Sequence, residues 1–465
     1  MLDNVGYTVG ADILDKHIID NSCGNGAFMV QIAERYLKTA VKNKCNKRTI
    51  VSGLETYIHG IDCDENAVAQ CLLRLNDMAK QYGITNVVWD INYGDTLKVN
   101  QYDGKMDYVV GNPPYVRVHN LDKAYNAVKK YKFAEGGMTD LYLVFFEIGF
   151  NMMTERGHMC YITPSSWINS VAGLPLRSHI IANRHLISLV DLGHFQPFEG
   201  IMTYTMISLF DKSKYQDTFD YYTLNDEGTT FIENISYSDC VIDGNMYLAK
   251  KETLHTLKQI KTQPTPKYVR VKNGFATLAD KSFIGDHIPD TFITIPVIKS
   301  STAKWSKALF PYDKSGKPLP KEILFANDII KCHFEKEKEK ILKGKQEYDG
   351  WYLYGRTQAL SDVWKNKLSL NSMIKKADDV KIEVIPEGSG MYGGLYIIGD
   401  INQHIARELL MTDEFLQYVK SLKKYKSGGY YTYNSRDAEQ FLNYKLYKTK
   451  SHEQQYILGG NLRLF

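Results

Sequence analysis

Asp107-Tyr108-Val109-Val110-Gly111-Asn112-Pro113-Pro114-Tyr115 decides how the rest of this chain is read. The first five residues form a short apolar run of strand type. Asn112 to Tyr115 follow at its end, where an open α/β sheet places its ligands. Two consecutive prolines lack N–H groups and have fixed φ, so the Pro113 carbonyl cannot be absorbed into a helix and is free to face outward. With the Asn112 side-chain oxygen it makes two acceptors, enough for both hydrogens of an exocyclic –NH₂ group. Such an amino group is a poor nucleophile because its lone pair is delocalised into the ring. Two acceptors aimed at its hydrogens favour the pyramidal form that frees the pair, and Tyr115 offers a flat face for a base to stack on. The plain alternative is a Pro-Pro turn that happens to be flanked by Asn and Tyr.

Upstream, Ile18-Ile19-Asp20 reads as a short buried strand. Asn21-Ser22-Cys23-Gly24-Asn25-Gly26-Ala27-Phe28 follows as a turn into an amphipathic helix over 29–38. No Lys-Ser/Thr follows the Gly-x-Gly, which disfavours a nucleoside-triphosphate loop, and the third glycine of a dinucleotide fingerprint is missing. His59-Gly60-Ile61-Asp62 gives a second strand ending in a carboxylate, with Asp64-Glu65 opening a helix. Val87-Val88-Trp89-Asp90-Ile91 gives a third strand, followed by Gly94-Asp95-Thr96, and 107–111 a fourth. Any one of these acids could be a helix cap. Three at successive strand ends ahead of Asn-Pro-Pro-Tyr form a constellation, and an acid at the end of a second strand suits a ribose diol. The pattern predicts an α/β fold: a doubly wound, mostly parallel sheet.

The order Asp-x-x-Cys-Gly-x-Gly-x-Phe, Gly-Ile-Asp-x-Asp, Gly-Asp-Thr-Leu and Asn-Pro-Pro-Tyr resembles the TaqI-like (γ-group) adenine-N6 DNA methyltransferases of restriction-modification systems. The resemblance continues through Thr139-Asp140-Leu141-Tyr142 at a helix start and strands at 157–164, 186–192 and 205–210. It implies a class I methyltransferase sheet, S-adenosylmethionine as cofactor, and a C-terminal target-recognition domain. Asp20 with Ser22, Cys23, Gly24 and Gly26 would hold the methionine end of the cofactor. Asp62 would hold its ribose hydroxyls and Asp95 its adenine amino group, with Cys63 and Thr96 beside them as cofactor-binding residues. Asn112, Pro113, Pro114 and Tyr115 would form the catalytic motif, with Asn112 and Pro114 also bordering the cofactor. Phe198 aligns with the aromatic that closes the base pocket, a role Phe195 or Tyr204 could equally fill. Thr8 corresponds to a cofactor contact, although Val9 stands where the family usually has proline. In the second half, 273–280 and Tyr354-Gly355-Arg356-Thr357 resemble stretches of target-recognition domains.

At 465 residues two domains are expected, divided near residue 245: a methyltransferase domain over 1–245 and a DNA-recognition domain over 246–465. The first 210 residues carry 19 Lys and Arg against 21 Asp and Glu, and the remainder 38 against 32, so the basic excess lies wholly in the second half. That excess suits double-stranded DNA as a partner, and equally a solvated lysine-rich surface. The run 335–340 alternates in sign and is expected on an exposed helix face. Segments 351–356 and 423–431 mix basic and aromatic residues, making Arg356, Lys423 and Lys424 candidate DNA contacts, with ordinary sheet aromatics as the alternative. The 7 cysteines show no Cys-x-x-Cys, so neither zinc nor disulfides are expected. No apolar stretch reaches membrane length and the first residues show no signal-peptide pattern, which makes the reducing cytoplasm, and a monomer, the default expectations. The absence of any Pro-Cys dipeptide disfavours cytosine-C5 chemistry, which needs a cysteine nucleophile.

The readings that compete are an adenine-N6 DNA methyltransferase, with a separately encoded restriction endonuclease as a possible partner, and an amino-group methyltransferase acting on RNA guanine or a protein glutamine. A DNA-binding specificity protein with a vestigial cofactor site is a third. A fused nuclease, suggested by Asp379-Val380-Lys381 with Asp362 upstream, is a fourth.

Overall fold

A computed structural model describes residues 1–118, 125–135, 139–197 and 203–461, with the backbone alone for 125, 126 and 452–461. The chain divides into two compact units, 1–255 and 256–465. The division falls ten residues after the position expected from sequence, within a helix, Lys251–Thr262.

In the first unit the described residues form a nine-stranded sheet in the order β3-β2-β1-β4-β5-β7-β6-β8-β9. Its strands are β1 Ile18–Asp20, β2 Ile58–Asp62, β3 Asp90–Tyr93, β4 Met106–Gly111, β5 Met153–Pro164, β6 Leu186–Asp191, β7 Thr205–Asp211, β8 Thr218–Asn225 and β9 Gly228–Ser236. β1 to β5 pair in parallel, and β7 runs antiparallel between β5 and β6. The central strands are buried on both faces, which is why their sequences read as unbroken apolar runs. The third strand begins three residues later than the sequence suggests. The Val88 side chain is exposed and its amide donates to Glu55, and the ladder with β2 starts only at Asp90.

Helices α1 Ala27–Lys42, α2 Lys47–Tyr57 and α3 Glu65–Gln81 connect β1 to β2 and β2 to β3. α1 buries Met29, Ile32, Ala33, Tyr36, Leu37 and Ala40, the spacing of one apolar face. α3 starts where Asp64 accepts from the amides of Asn66 and Ala67. After a short α4, Tyr125–Val128, helix α5, Leu141–Met152, is apolar nearly all round and almost wholly buried before β5. Because β1 is flanked by β2 on one side and β4 on the other, the chain reverses its winding between β1 and β4. Sheets of this kind bind ligands at that crevice.

The second unit has smaller antiparallel and mixed sheets. The largest is built from Val269–Asn273, Leu395–Gly399, Lys367–Leu370 and Val384–Ile385, paired in that order. The edge at Val269–Asn273 is covered by the helix Ser435–Asn461. Asn443 accepts from the Tyr268 and Val269 amides, and Glu439 accepts from Val271. An aromatic core of Phe275, Phe283, Phe310, Phe334 and Tyr354 packs beside it. Trp351, Tyr352 and Tyr354 are buried in this core, so the aromatics of segment 351–356 are packing residues and not the nucleic-acid surface the sequence suggested. Glu337 likewise leaves the expected exposed face of the helix Asp328–Leu342. It is buried, bonded to Ser282 and Lys340.

No helix among the described residues is long and apolar enough to cross a membrane. No cluster of three or more His, Cys, Asp or Glu among them could hold a metal ion.

Candidate active site

The C-terminal ends of β1, β2 and β4 lie side by side, with Asp20 opposite Gly60 on one flank and Val110 on the other. Gly111 is therefore the first β4 residue past Asp20. A Cβ on Gly111 would lie 2.7 Å from Asp20 Oδ1, so only glycine lets the end of β4 come this close to the first loop. The loop is closed by the Gly26 amide on the Cys23 carbonyl at 2.9 Å. Gly26 has φ of +85° and sits against α3, where a Cβ would meet Cys71 Sγ at 2.6 Å. α1 thus starts close against α3, with its first amides at the loop.

Three carboxylates line this edge. Asp20 is buried and accepts one hydrogen bond, from the Ser22 amide at 3.0 Å. Burial raises its carboxyl to about 7, opposed by the Ser22 amide and assisted by the nearby Asp62 charge. Asp62 is half-buried. Its two oxygens take the Gly24 amide at 2.8 Å and the Asp64 amide at 2.9 Å, joining the first loop to the start of α3. Asp95 accepts from the Leu97 amide and pairs with Lys98 at 3.1 Å. Among the described residues neither Asp20 nor Asp62 has a Lys or Arg partner, which leaves net negative charge where the three strand ends meet.

Asn21 and Tyr161, which the sequence did not single out, join the pieces. The buried Asn21 carbonyl accepts the Thr96 hydroxyl at 2.8 Å, and its side-chain oxygen accepts the Tyr161 hydroxyl of β5 at 3.0 Å. Their only sequence signal is adjacency to a motif, because the bonds span 75 and 140 residues. Ser22 lies against Asp20, its amide and its hydroxyl both favouring the charged carboxylate. Cys23 is buried and Cys63 exposed.

Asn112 Oδ1 is buried and has no hydrogen-bond partner among the described residues. A buried acceptor left unmade is costly, so a native structure keeps one where a ligand completes it. No described amide donates to the Pro113 carbonyl. Pro113 is buried, and Pro114 and Tyr115 are half-buried. The Tyr115 hydroxyl donates to the Ile162 carbonyl at 3.2 Å, and its ring meets Tyr142 edge-on at 6.5 Å. The chain then leaves by pairing with the start of α5, the Leu141 amide reaching the Val116 carbonyl at 2.8 Å.

The structure therefore brings Asp20, Ser22, Cys23, Gly24, Gly26, Asp62, Thr96 and the Asn112 motif to one edge. Thr8 is half-buried in a turn at 6–11, and no described contact ties its side chain to Asp20 or Asn112. Phe198 lies outside the described residues. Of the two other aromatics, Phe195 is exposed, and Tyr204 is half-buried with its carbonyl accepting the Ser165 amide.

Residues 27–198 match the Eco57I restriction-modification methylase family. The matched stretch contains every strand end just described except that of β1, which lies upstream of it with the loop 21–26 between. Over a longer span the chain is 24% identical to the type II restriction enzyme and methyltransferase RM.Eco57I of Escherichia coli, covering 88% of this chain and 52% of that protein. It is 27% identical to the type II methyltransferase M.BstVI of Geobacillus stearothermophilus, over 44% of this chain and 38% of the relative. The chain thus spans about half the length, or less, of these relatives. The type IIL restriction-modification enzyme MmeI, solved in complex with DNA, shares the fold with a TM-score of 0.61 at 12% identity, over 92% of this chain and 62% of that one.

A methylase domain of this kind uses S-adenosylmethionine, and the site suits it. The donor carries a sulfonium and an ammonium, and the strand ends present two carboxylates without cationic partners beside an open backbone loop.

The candidates in the second unit are arranged differently. Arg356 is exposed and bridges to Ala276, so the two stretches 273–280 and 354–357 meet in space. The Lys424 ammonium is 2.6 Å from the buried Asp437, which also pairs with Lys261 at 3.1 Å. Lys424 therefore acts in packing, and the Lys423–Lys424 pair is not the open cationic surface the sequence suggested. Asp362 and Asp379 are not brought together either. Asp362 is enclosed by Lys272, Lys365 and Tyr396, and Asp379 caps its own turn by accepting the Lys375 and Lys376 amides.

Proposed function

We propose that the chain is a site-specific DNA adenine-N6 methyltransferase of the γ group, serving a restriction-modification system that protects host DNA. The observation that carries this reading is the buried, unpartnered Asn112 Oδ1 at the end of β4, next to a proline carbonyl without a described donor and a tyrosine ring. S-adenosylmethionine supplies an electrophilic methyl group, so the protein's task is to make an aromatic amine attack it. Asn112 Oδ1 and the Pro113 carbonyl accept the two amino hydrogens and localise the lone pair on nitrogen. Tyr115, anchored through its hydroxyl, stacks on the base. Asp62 and Asp95 hold the ribose and adenine of the donor, and Asp20 with Ser22, Cys23, Gly24 and Gly26 its amino-acid end. N6 of adenine lies within the stack of a duplex, so the base is flipped out to react.

The second reading, transfer to an RNA guanine or a protein glutamine, draws on the same two acceptors. The size and basic excess of the second unit favour a large anionic partner, a nucleic acid over a protein glutamine. Incubating the protein with unmodified plasmid and S-adenosylmethionine, then mapping modified bases on single molecules, tests both. Methyladenine at one sequence context is expected. Methylation of RNA or protein with none in plasmid would replace this reading by the second.

A further inference from the structure

In the second unit one residue is held against its own preference. Leu278 has φ of +61°, a conformation that a bulky side chain rarely adopts, and it is 52% exposed. The turn around it is built to keep it there. Thr277 Oγ1 accepts the Ala279 amide at 3.0 Å and bonds Asp280, and the Thr277 carbonyl accepts the Gly355 amide at 3.0 Å. Lys343 Nζ bonds the Leu278 carbonyl. The side chain lies against Gly355, where a Cβ would sit 2.4 Å from Leu278 Cδ1. An exposed apolar residue fixed in an unfavourable backbone by four neighbours is unexplained by packing, and such strain gathers at working surfaces.

Beside the turn is a cavity of about 640 Å³, floored by Phe275 and Tyr392, whose rings are parallel within 10°. Lys281, Lys340 and Lys343 line it, and the exposed Arg356 follows Gly355. The carboxylates nearby are already engaged, Asp280 with Thr277 and Glu337 with Lys340 and Ser282. What remains is an excess of cations around an apolar tip, the complement of a phosphate backbone flanking a base stack.

We propose that this turn and cavity are where the second unit docks duplex DNA. Leu278 is the apolar wedge at the base edges, and Lys281, Lys343 and Arg356 are the phosphate-facing cations. The site rests on the methyltransferase reading above.

The test is equilibrium binding of the full chain to an unmodified linear plasmid fragment at several salt concentrations, with thermal unfolding of each variant. Leu278→Gly removes the wedge and accepts the backbone without strain, so Tm should hold or rise while DNA affinity falls about tenfold or more. Lys281→Ala should weaken binding to every fragment and reduce the salt slope by about 0.9. Parent-like binding by Leu278→Gly, parent-like salt dependence of Lys281→Ala, or a joint loss of Tm and affinity in Leu278→Gly overturns this site alone. Failure of the unsubstituted chain to bind duplex overturns the proposed function with it.

Discussion

Asp20 in the first unit and Asp362 in the second are equally removed from water, at 1% and 2% exposure, yet their carboxyls move in opposite directions. Burial raises Asp20 to about 7, with only the Ser22 contacts opposing it. Burial also raises Asp362, but hydrogen bonds from Lys272, Lys365 and Tyr396 outweigh it and bring the group to about 2. The same contrast extends around each. Asn112 Oδ1 near Asp20 has no hydrogen-bond partner among the described residues, whereas Lys367 near Asp362 lies within hydrogen-bonding distance of four carbonyls. The polar groups around Asp362 satisfy one another within the chain, whereas the Asn112 oxygen at the end of the parallel sheet is open to something that binds.

The sharpest way to break this contrast is Asn112→Ala. If the unpartnered oxygen acts on the amino group, turnover falls by roughly a hundredfold or more while cofactor binding persists. Near-normal single-turnover rates would put Asn112 with the structural groups. Asp62→Ala should weaken S-adenosylmethionine binding by about 1.5–3 kcal/mol in calorimetry, through the lost ribose contact and the released Gly24 amide. An unchanged dissociation constant would reduce Asp62 to a helix-start residue.

The pH dependence separates the two acids directly. Below about 7 Asp20 holds its proton, and pairing with an ammonium requires that proton to leave. Cofactor affinity should therefore fall by about tenfold per pH unit on acidification below that point, and Asp20→Asn should flatten the profile. An affinity independent of pH between 5 and 8, taken as roughly the range in which such a group titrates, would contradict the role. Asp362 has the opposite sign. Its depressed carboxyl stabilises the fold above the ordinary value of 3.8, and that contribution is lost as pH falls toward about 2. The smallest effect is expected for Asp362→Asn. Its lysine partners are about half exposed, so the loss is about 1–2 kcal/mol, seen as a Tm lower by a few degrees with cofactor affinity unchanged. A change in cofactor affinity would mean that the second unit does not keep its polar groups to itself.

The sheet was legible in the sequence because strands buried on both faces are written as short apolar runs, and because the chemistry sits where those runs stop. Asp20, Asp62 and Asn112 all lie within such punctuation. The third strand was misplaced because Val87 and Val88 are apolar and strand-forming by type, yet Val88 is exposed and pairing begins only at Asp90. The second unit was less legible. Its mixed basic and aromatic segments are the same in composition whether the rings face a core or a nucleic acid, and Trp351, Tyr352 and Tyr354 face the core.

Sequence by itself determined the reactive tetrapeptide, the acids at the strand ends and the succession of short strands along the chain, since all are local patterns of residue type and spacing. Only the tertiary structure decided which polar groups remain unpartnered. It gave Lys424 to Asp437, enclosed Asp362 between two lysines and a tyrosine, tied Asn21 to Tyr161, and left Asn112 Oδ1 without a donor among the described residues. Each of these depends on neighbours brought together from distant parts of the chain, and local spacing carries no information about such neighbours.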